Sequence, residues 1–165
     1  MPEKSWYFDT VSLCNFLLSG ADSFLKMRYH KCGFITWEVY DEICAGFDKY
    51  PTLKKLEKLL SDKTLTPVSL SDQTRQLYSA LMIHLGRGEA SCLAIAEVSN
   101  GIVVTDDRAA RLQCNHSHIP FTGTIGILKA CVKDGAIDLR QADMYLDKMI
   151  KQGFYSPVRS ISGII

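Results

Sequence analysis

Apolar positions along the chain follow two rhythms. Short unbroken runs, Trp6-Tyr7-Phe8, Gly33-Phe34-Ile35 and Ile102-Val103-Val104, read as buried strands. Each gives way to apolar positions three or four apart, the spacing of one helix face. After Phe8 the helical set is Val11, Leu13, Phe16 and Leu17, and a second amphipathic piece carries Phe24, Leu25 and Met27. Thr36 is the expected N-cap of a helix containing Val39, Ile43 and Phe47. Pro51 opens another, with Leu53, Leu56, Leu59 and Leu60 on one face. Residues 64–70 predict a strand, which Pro67 confines to a sheet edge. Ser71-Asp72 starts a helix through Leu77, Leu81 and Leu85. Gly86-Arg87-Gly88 breaks it, and Glu89 begins a strongly apolar helix through Val98. A strand at Ile119-Pro120-Phe121, a helix over residues 125–133 and a last amphipathic helix over 139–150 complete the pattern. Strands alternating with helices predict an α/β class with a mostly parallel sheet.

Polar residues stand where that pattern breaks. Two strand runs end in acid: Phe8 leads into Asp9, and Val104 leads through Thr105 into Asp106 and Asp107. In an open parallel sheet the carboxyl ends of the strands share one edge, so these acids are expected to face a common crevice. Glu42, with Glu38 one turn earlier, and Glu89 fall in the first turns of helices that start from the same edge. Several carboxylates in one cleft repel one another unless a cation joins them. An all-oxygen set suits Mg²⁺ or Mn²⁺ better than zinc. Such a centre can orient an attacking water and steady the leaving oxygen of a phosphodiester. The same acids also admit a purely structural role, since carboxylates in a helix's first turn favour its dipole by about 0.3–1 kcal/mol each.

Length and composition narrow the class. The chain has 165 residues, 47% hydrophobic and 22% charged, and is expected to form one domain over residues 1–155 with a tail of open packing over 156–165. The formal net charge of +1 does not by itself mark a nucleic-acid binder. No apolar stretch approaches the ~20 residues of a membrane span, and M-P-E-K-S-W is not expected to act as a signal peptide. The six cysteines, without any C-x-x-C, are expected to be free thiols in a reducing, cytoplasmic setting. Cys14, Cys92 and Cys131 lie within helical apolar patterns and read as core residues.

Other chemistry is less well supported. Cys114, His116 and His118 form C-N-H-S-H, but no fourth zinc ligand has recognisable spacing, and a surface loop is expected there. His30 and His84 have no visible partner. No G-x-S-x-G elbow supports a serine nucleophile. A phosphatase using a strand-end aspartate would need a second aspartate two residues later, where Val11 stands. Arg87, Arg108, Arg111 and Lys129 lie near the acidic edge and are candidates for phosphate contact, or for local pairing with acids.

Taken together, F-D-T-V-S-L-C-N-F-L from Phe8, V-Y-D-E-I from Val39, G-R-G-E-A-S-C-L-A-I-A from Gly86, V-V-T-D-D-R-A-A-R from Val103 and T-G-T-I-G-I-L-K-A-C-V-K-D-G-A-I from Thr122 resemble the successive motifs of PIN domains. The last resembles the branch described as predicted nucleic-acid-binding proteins. The resemblance covers about residues 4–155. It implies a three-layer α/β/α sandwich and a Mg²⁺- or Mn²⁺-dependent ribonuclease, in a family that includes the toxins of toxin–antitoxin pairs. Position by position it implies catalytic and metal-binding roles for Asp9, Glu42, Glu89 and Asp107, with Asp106 a second candidate beside Asp107. Thr105, Ser12 and Asn15 would support the acids. Glu89 departs from the pattern, since many members carry Asp there. The implied partners are RNA, an antitoxin protein and a second copy of the chain. A catalytically weak module that binds nucleic acid or protein is the alternative.

Overall fold

The structure, a computed structural model, describes residues 3–165. Five strands form one parallel sheet: β1 (Trp6–Phe8), β2 (Gly33–Thr36), β3 (Leu65–Val68), β4 (Ile102–Val104) and β5 (Phe121–Thr122). The helices are α1 (Thr10–Ser19), α2 (Leu25–Tyr29), α3 (Trp37–Cys44), α4 (Lys55–Ser61), α5 (Asp72–Leu81), α6 (Arg87–Ser99), α7 (Arg108–His116), α8 (Thr124–Lys133) and α9 (Leu139–Lys151). Single 3₁₀ turns, Ala21–Phe24 and Pro51–Lys54, precede α2 and α4.

Strand order is β3-β2-β1-β4-β5. From β1 the chain steps outward through β2 to β3, then crosses to β4 and steps outward the other way to β5. Right-handed crossovers running in opposite directions place their helices on opposite faces of the sheet. The result is the three-layer α/β/α sandwich. The direction reverses between β1 and β4, and a crevice opens there at the carboxyl ends of the strands.

Packing follows the periodicity closely. Leu13, Phe16 and Leu17, on one stripe of α1, are fully buried. Each such side chain stabilises the fold by about 1.5–3 kcal/mol relative to exposure. α6 is nearly encased: Gly88, Ala90, Ser91, Cys92, Leu93, Ala94, Ile95 and Ala96 are all buried, and the helix touches β1, β2 and β4. Its small residues let the backbone approach the sheet closely, and the Cys92 thiol donates to the Phe8 carbonyl at 3.4 Å. Pro67 lies in β3, at the sheet edge.

Several boundaries differ from the sequence expectation. α5 stops at Leu81, and Leu85 lies in the turn that follows it. α6 begins at Arg87, with Gly86 as its N-cap, so Gly88 sits inside the first turn. β5 is Phe121–Thr122, although the Pro120 carbonyl before it already accepts the Val103 N–H of β4 at 3.0 Å. C-N-H-S-H is mostly helix: α7 runs to His116 and buries Cys114 completely, while His116 and His118 are exposed. A helical stretch with its cysteine in the core offers no zinc cluster. Cys92 and Cys131 are buried and Cys14 is half-buried, all as free thiols.

The tail turns back on the domain. Ile161 is fully buried, and Asp143 of α9 accepts from the N–H groups of Ile161 (2.5 Å) and Ser162 (3.2 Å) and from the Ser162 hydroxyl (2.6 Å). Asp143→Ala is therefore expected to lower stability by about 1–2 kcal/mol. Limited proteolysis should detect faster cleavage within residues 156–160 in that variant. No helix among the described residues is long and apolar enough to cross a membrane.

Candidate metal centre

The sheet register sets the site. Phe8 pairs with Val104, so Asp9 and Thr105 leave the sheet side by side. The Asp9 N–H donates to the Val104 carbonyl at 3.0 Å, and the Thr105 N–H donates to Thr122 at 2.8 Å. Asp9 caps α1, its Oδ1 accepting the Ser12 N–H at 2.8 Å. The residue is wholly buried, and no donor reaches its Oδ2. Burial pushes its pKa up to about 7. The Thr105 side chain and the Ser12 donors offset this in part, and the Glu89 carboxylate adds to it. A carboxylate oxygen sealed from water and left unpaired is costly unless it is protonated or meets a cation.

The other acids come from three directions. Thr36 caps α3 through the Val39 N–H at 3.1 Å, and α3 carries Glu42 two turns on. Glu42 accepts from the Thr10 hydroxyl and from the Gly88 N–H, the latter at 3.1 Å. It thereby supplies the carboxylate that Gly86, as N-cap of α6, lacks. Gly88 makes the approach fit, because a Cβ there would lie 2.7 Å from both Glu42 Oε2 and Thr10 Oγ1. Glu89, half-buried in the first turn of α6, has its pKa raised by burial and by the Glu42 and Asp107 charges. Glu38, one turn before Glu42, also holds a buried, unpaired Oε2.

The adjacent aspartates part company. Asp107 caps α7 through the Ala110 N–H at 2.8 Å and is otherwise exposed. Asp106 is fully engaged: Oδ2 accepts from Ser12 Oγ (3.1 Å) and Thr124 Oγ1 (2.5 Å), and Oδ1 from the Thr124 N–H (2.9 Å) and Arg111 (3.4 Å). It ties β4 to α1 and to the start of α8. Asn15 reaches Thr124 Oγ1 at 3.2 Å, and Thr105 Oγ1 accepts the Asp107 N–H at 3.1 Å. Ser12 is therefore the direct support of Asp9, while Asn15 acts one step away.

The basic candidates spread around this edge. Arg87 pairs with Asp41 at 3.8 Å, both largely exposed, a contact worth little. Arg111 is anchored by the Thr105 carbonyl at 2.9 Å and lies over the Phe121 ring at 5.4 Å. Arg108 is exposed and makes no ion pair among the described residues. Lys129 is half-buried on α8. Sequence reasoning missed Thr10, Gly88 and the hold of Thr124 on Asp106. The hydroxyl after Asp9 and the T-G-T turn before α8 were the available signals.

The fit to a divalent cation lies in the chemistry of the donors. Hard carboxylate oxygens from four elements sense one another's charge, and Asp9 Oδ2 has no other partner. They do not form a ready-made cage: among the described residues no three metal-ligating side chains stand close enough to enclose an ion as placed.

A family model for the PIN domain matches residues 5–165. No curated protein matches the chain. Solved structures do, among them a toxin–antitoxin complex from Klebsiella pneumoniae at 20% identity, covering 62% of this chain and 87% of that one, with a TM-score of 0.49. At that distance nothing of the complex's partnership transfers.

Proposed function

The chain belongs to the PIN domain family, and from that membership we propose that it is a Mg²⁺- or Mn²⁺-dependent endoribonuclease whose centre is built from Asp9, Glu42, Glu89 and Asp107. The observation that carries the reading is the unpaired, fully buried Oδ2 of Asp9 at the strand crossover, within electrostatic reach of Glu89. A divalent ion bound there would polarise the scissile phosphate and lower the pKa of a water. Asp9 and Glu89 would hold that ion, and Asp107 and Glu42 would complete its shell. Ser12 fixes the orientation of Asp9, and Thr10 with the Gly88 N–H fixes that of Glu42. Asp106, already saturated by donors, keeps α1, β4 and α8 in register around the centre. Arg108 and Arg111 stand beside the crevice where phosphate would lie.

The test is cleavage of single-stranded RNA with Mn²⁺ and with EDTA, together with end analysis of the products. The expected ends are 5′-phosphate and 3′-hydroxyl, and persistence of cleavage in EDTA would remove the reading. Gly88→Ala is expected to displace Glu42 and weaken Mn²⁺ uptake about 10-fold, measured by titration calorimetry. An inactive binding module is the second reading, favoured by the absence of a preformed cage among the described residues. It requires that the wild-type protein take up no Mn²⁺ through Asp9. An antitoxin-like partner and self-association belong to the same proposal, and co-expression with neighbouring genes followed by size analysis tests both.

A further inference from the structure

Two cavities meet beside the acidic centre. One, of about 430 Å³, is lined by Asn15, Glu89, Asp106 and Asp107. The other, of about 340 Å³, is lined by Arg108, Arg111, Asn115 and Ile125 and shares Asp106 with the first. Phe154 and Tyr155, just beyond α9, line both. The two aromatics are held differently. The Phe154 N–H donates to the Met149 carbonyl at 2.9 Å, and its side chain is half-buried against the core. Tyr155 is 95% exposed, the most exposed large hydrophobic side chain described. A ring so placed gains nothing for the fold, whereas burying it against a ligand would recover its apolar surface.

We propose that Tyr155 is a stacking platform for a nucleobase of a single-stranded RNA substrate, with the adjoining Arg108–Arg111 cavity taking the neighbouring phosphate. This rests on the ribonuclease reading and adds a substrate-binding residue to it. Charge decides the orientation. Glu89 and Asp107 line only the first cavity, which excludes phosphate unless a cation fills it. On the other side of the ring Asp106 is already paired with Arg111 at 3.4 Å, and Arg108, which makes no ion pair among the described residues, is the charge open to phosphate. Arg111 is fixed beside it, because its Nε is held by the Thr105 carbonyl and its plane rests over Phe121. A backbone threading from one cavity to the other passes Tyr155, and stacking accepts any base there because every base offers a π face. A duplex is disfavoured, since its bases are already stacked on one another. The main-chain anchor on Phe154 and the clamp of Asp143 on Ile161 and Ser162 bracket the segment that carries Tyr155.

Binding and cleavage can be read separately. A short single-stranded RNA followed by fluorescence anisotropy, with Ca²⁺ in place of Mn²⁺ so that the acidic cavity is filled, measures affinity apart from Mn²⁺-dependent turnover. Tyr155→Ala is expected to weaken binding about 5- to 100-fold, the range of one base stacked on an aromatic ring, while Tyr155→Trp retains it. A set of RNAs each carrying one abasic nucleotide should contain one that loses the same factor with wild-type protein and loses nothing further with Tyr155→Ala. A structural role for the ring would not produce that non-additivity. Equal affinities of wild type and Tyr155→Ala, or additive losses across the whole abasic set, overturn the proposal. So does undetectable RNA binding by the wild type. A Tyr155→Ala variant that changes only sedimentation, from dimer to monomer, overturns it in favour of a self-association surface. Tyr155-dependent binding without any Mn²⁺-dependent cleavage would leave the stacking role standing and remove the nuclease reading.

Discussion

Asp9→Asn is expected to abolish Mn²⁺-dependent RNA cleavage and, without metal at pH 8, to make the protein more stable. The loss of rate should be on the order of 10³-fold, since a metal ligand supplies several kcal/mol of transition-state stabilisation. The gain in stability follows from burial. Asp9 holds its proton up to about pH 7 in the folded chain but releases it near 3.8 when unfolded. Between those values the folded state binds more protons, so stability falls as pH rises. The contribution of neutral Asp9 is fully present below about pH 4 and is lost by about pH 7. The difference is on the order of 4 kcal/mol. Asparagine keeps an acceptor for the Ser12 N–H and carries no charge to desolvate, so the variant should lack this decline. Urea titrations of both proteins from pH 4 to 8 give the difference directly. Mn²⁺ should raise the melting temperature of the wild type at pH 8 and leave the variant unmoved. Parallel pH profiles would show that Asp9 is not held protonated, and full activity in the variant would dismiss it as a ligand.

The second large effect separates neighbouring aspartates. Asp106→Ala strands four donors at the junction of α1, β4 and α8, and is expected to cost about 2–4 kcal/mol. For a chain of this size that lowers the melting temperature by roughly 5–15 °C. Asp107→Ala removes one helix cap, worth about 1 kcal/mol, and should leave the fold intact while weakening Mn²⁺ uptake. Thermal melts and calorimetry on both variants decide the matter. Equal melting temperatures would mean that the Asp106 network carries little energy. Loss of the metal with Asp106→Asn, at unchanged stability, would exchange the two roles.

The neighbourhood of Gly123 supports the same division. A Cβ at Gly123 would collide with Arg111 Nη2 and Asp106 Oδ1. Glycine here lets the α8 N-terminus close over Asp106, so the carboxylate is enclosed by protein donors. Asp107, one residue on, faces outward toward Glu89.

Much of this protein was legible along the chain itself. Buried runs ending in Asp9 and Asp106-Asp107 located the sheet and the edge where the acids gather, and Thr36, Ser71 and Pro51 marked helix starts that the fold uses. These features are local: a strand alternates every two residues, a helix repeats every 3.6, and a cap binds three residues away. The motif order from Phe8 to Ile137 carried the family for the same reason. What the tertiary structure alone decided is how side chains distant in sequence divide the available partners. The motif resemblance ranks Asp107 above Asp106, but only the fold shows that Ser12 and Thr124, 94 and 18 residues away, claim Asp106. Glu42 reads as a helix-turn acid until Gly88, 46 residues on, turns out to be the backbone it caps. Phe154, Tyr155 and Ile161 are alike as apolar tail residues, yet one is half-buried, one stands in solvent and one lies in the core. A carboxylate's role depends on which donors reach it first, and only the folded chain sets those distances.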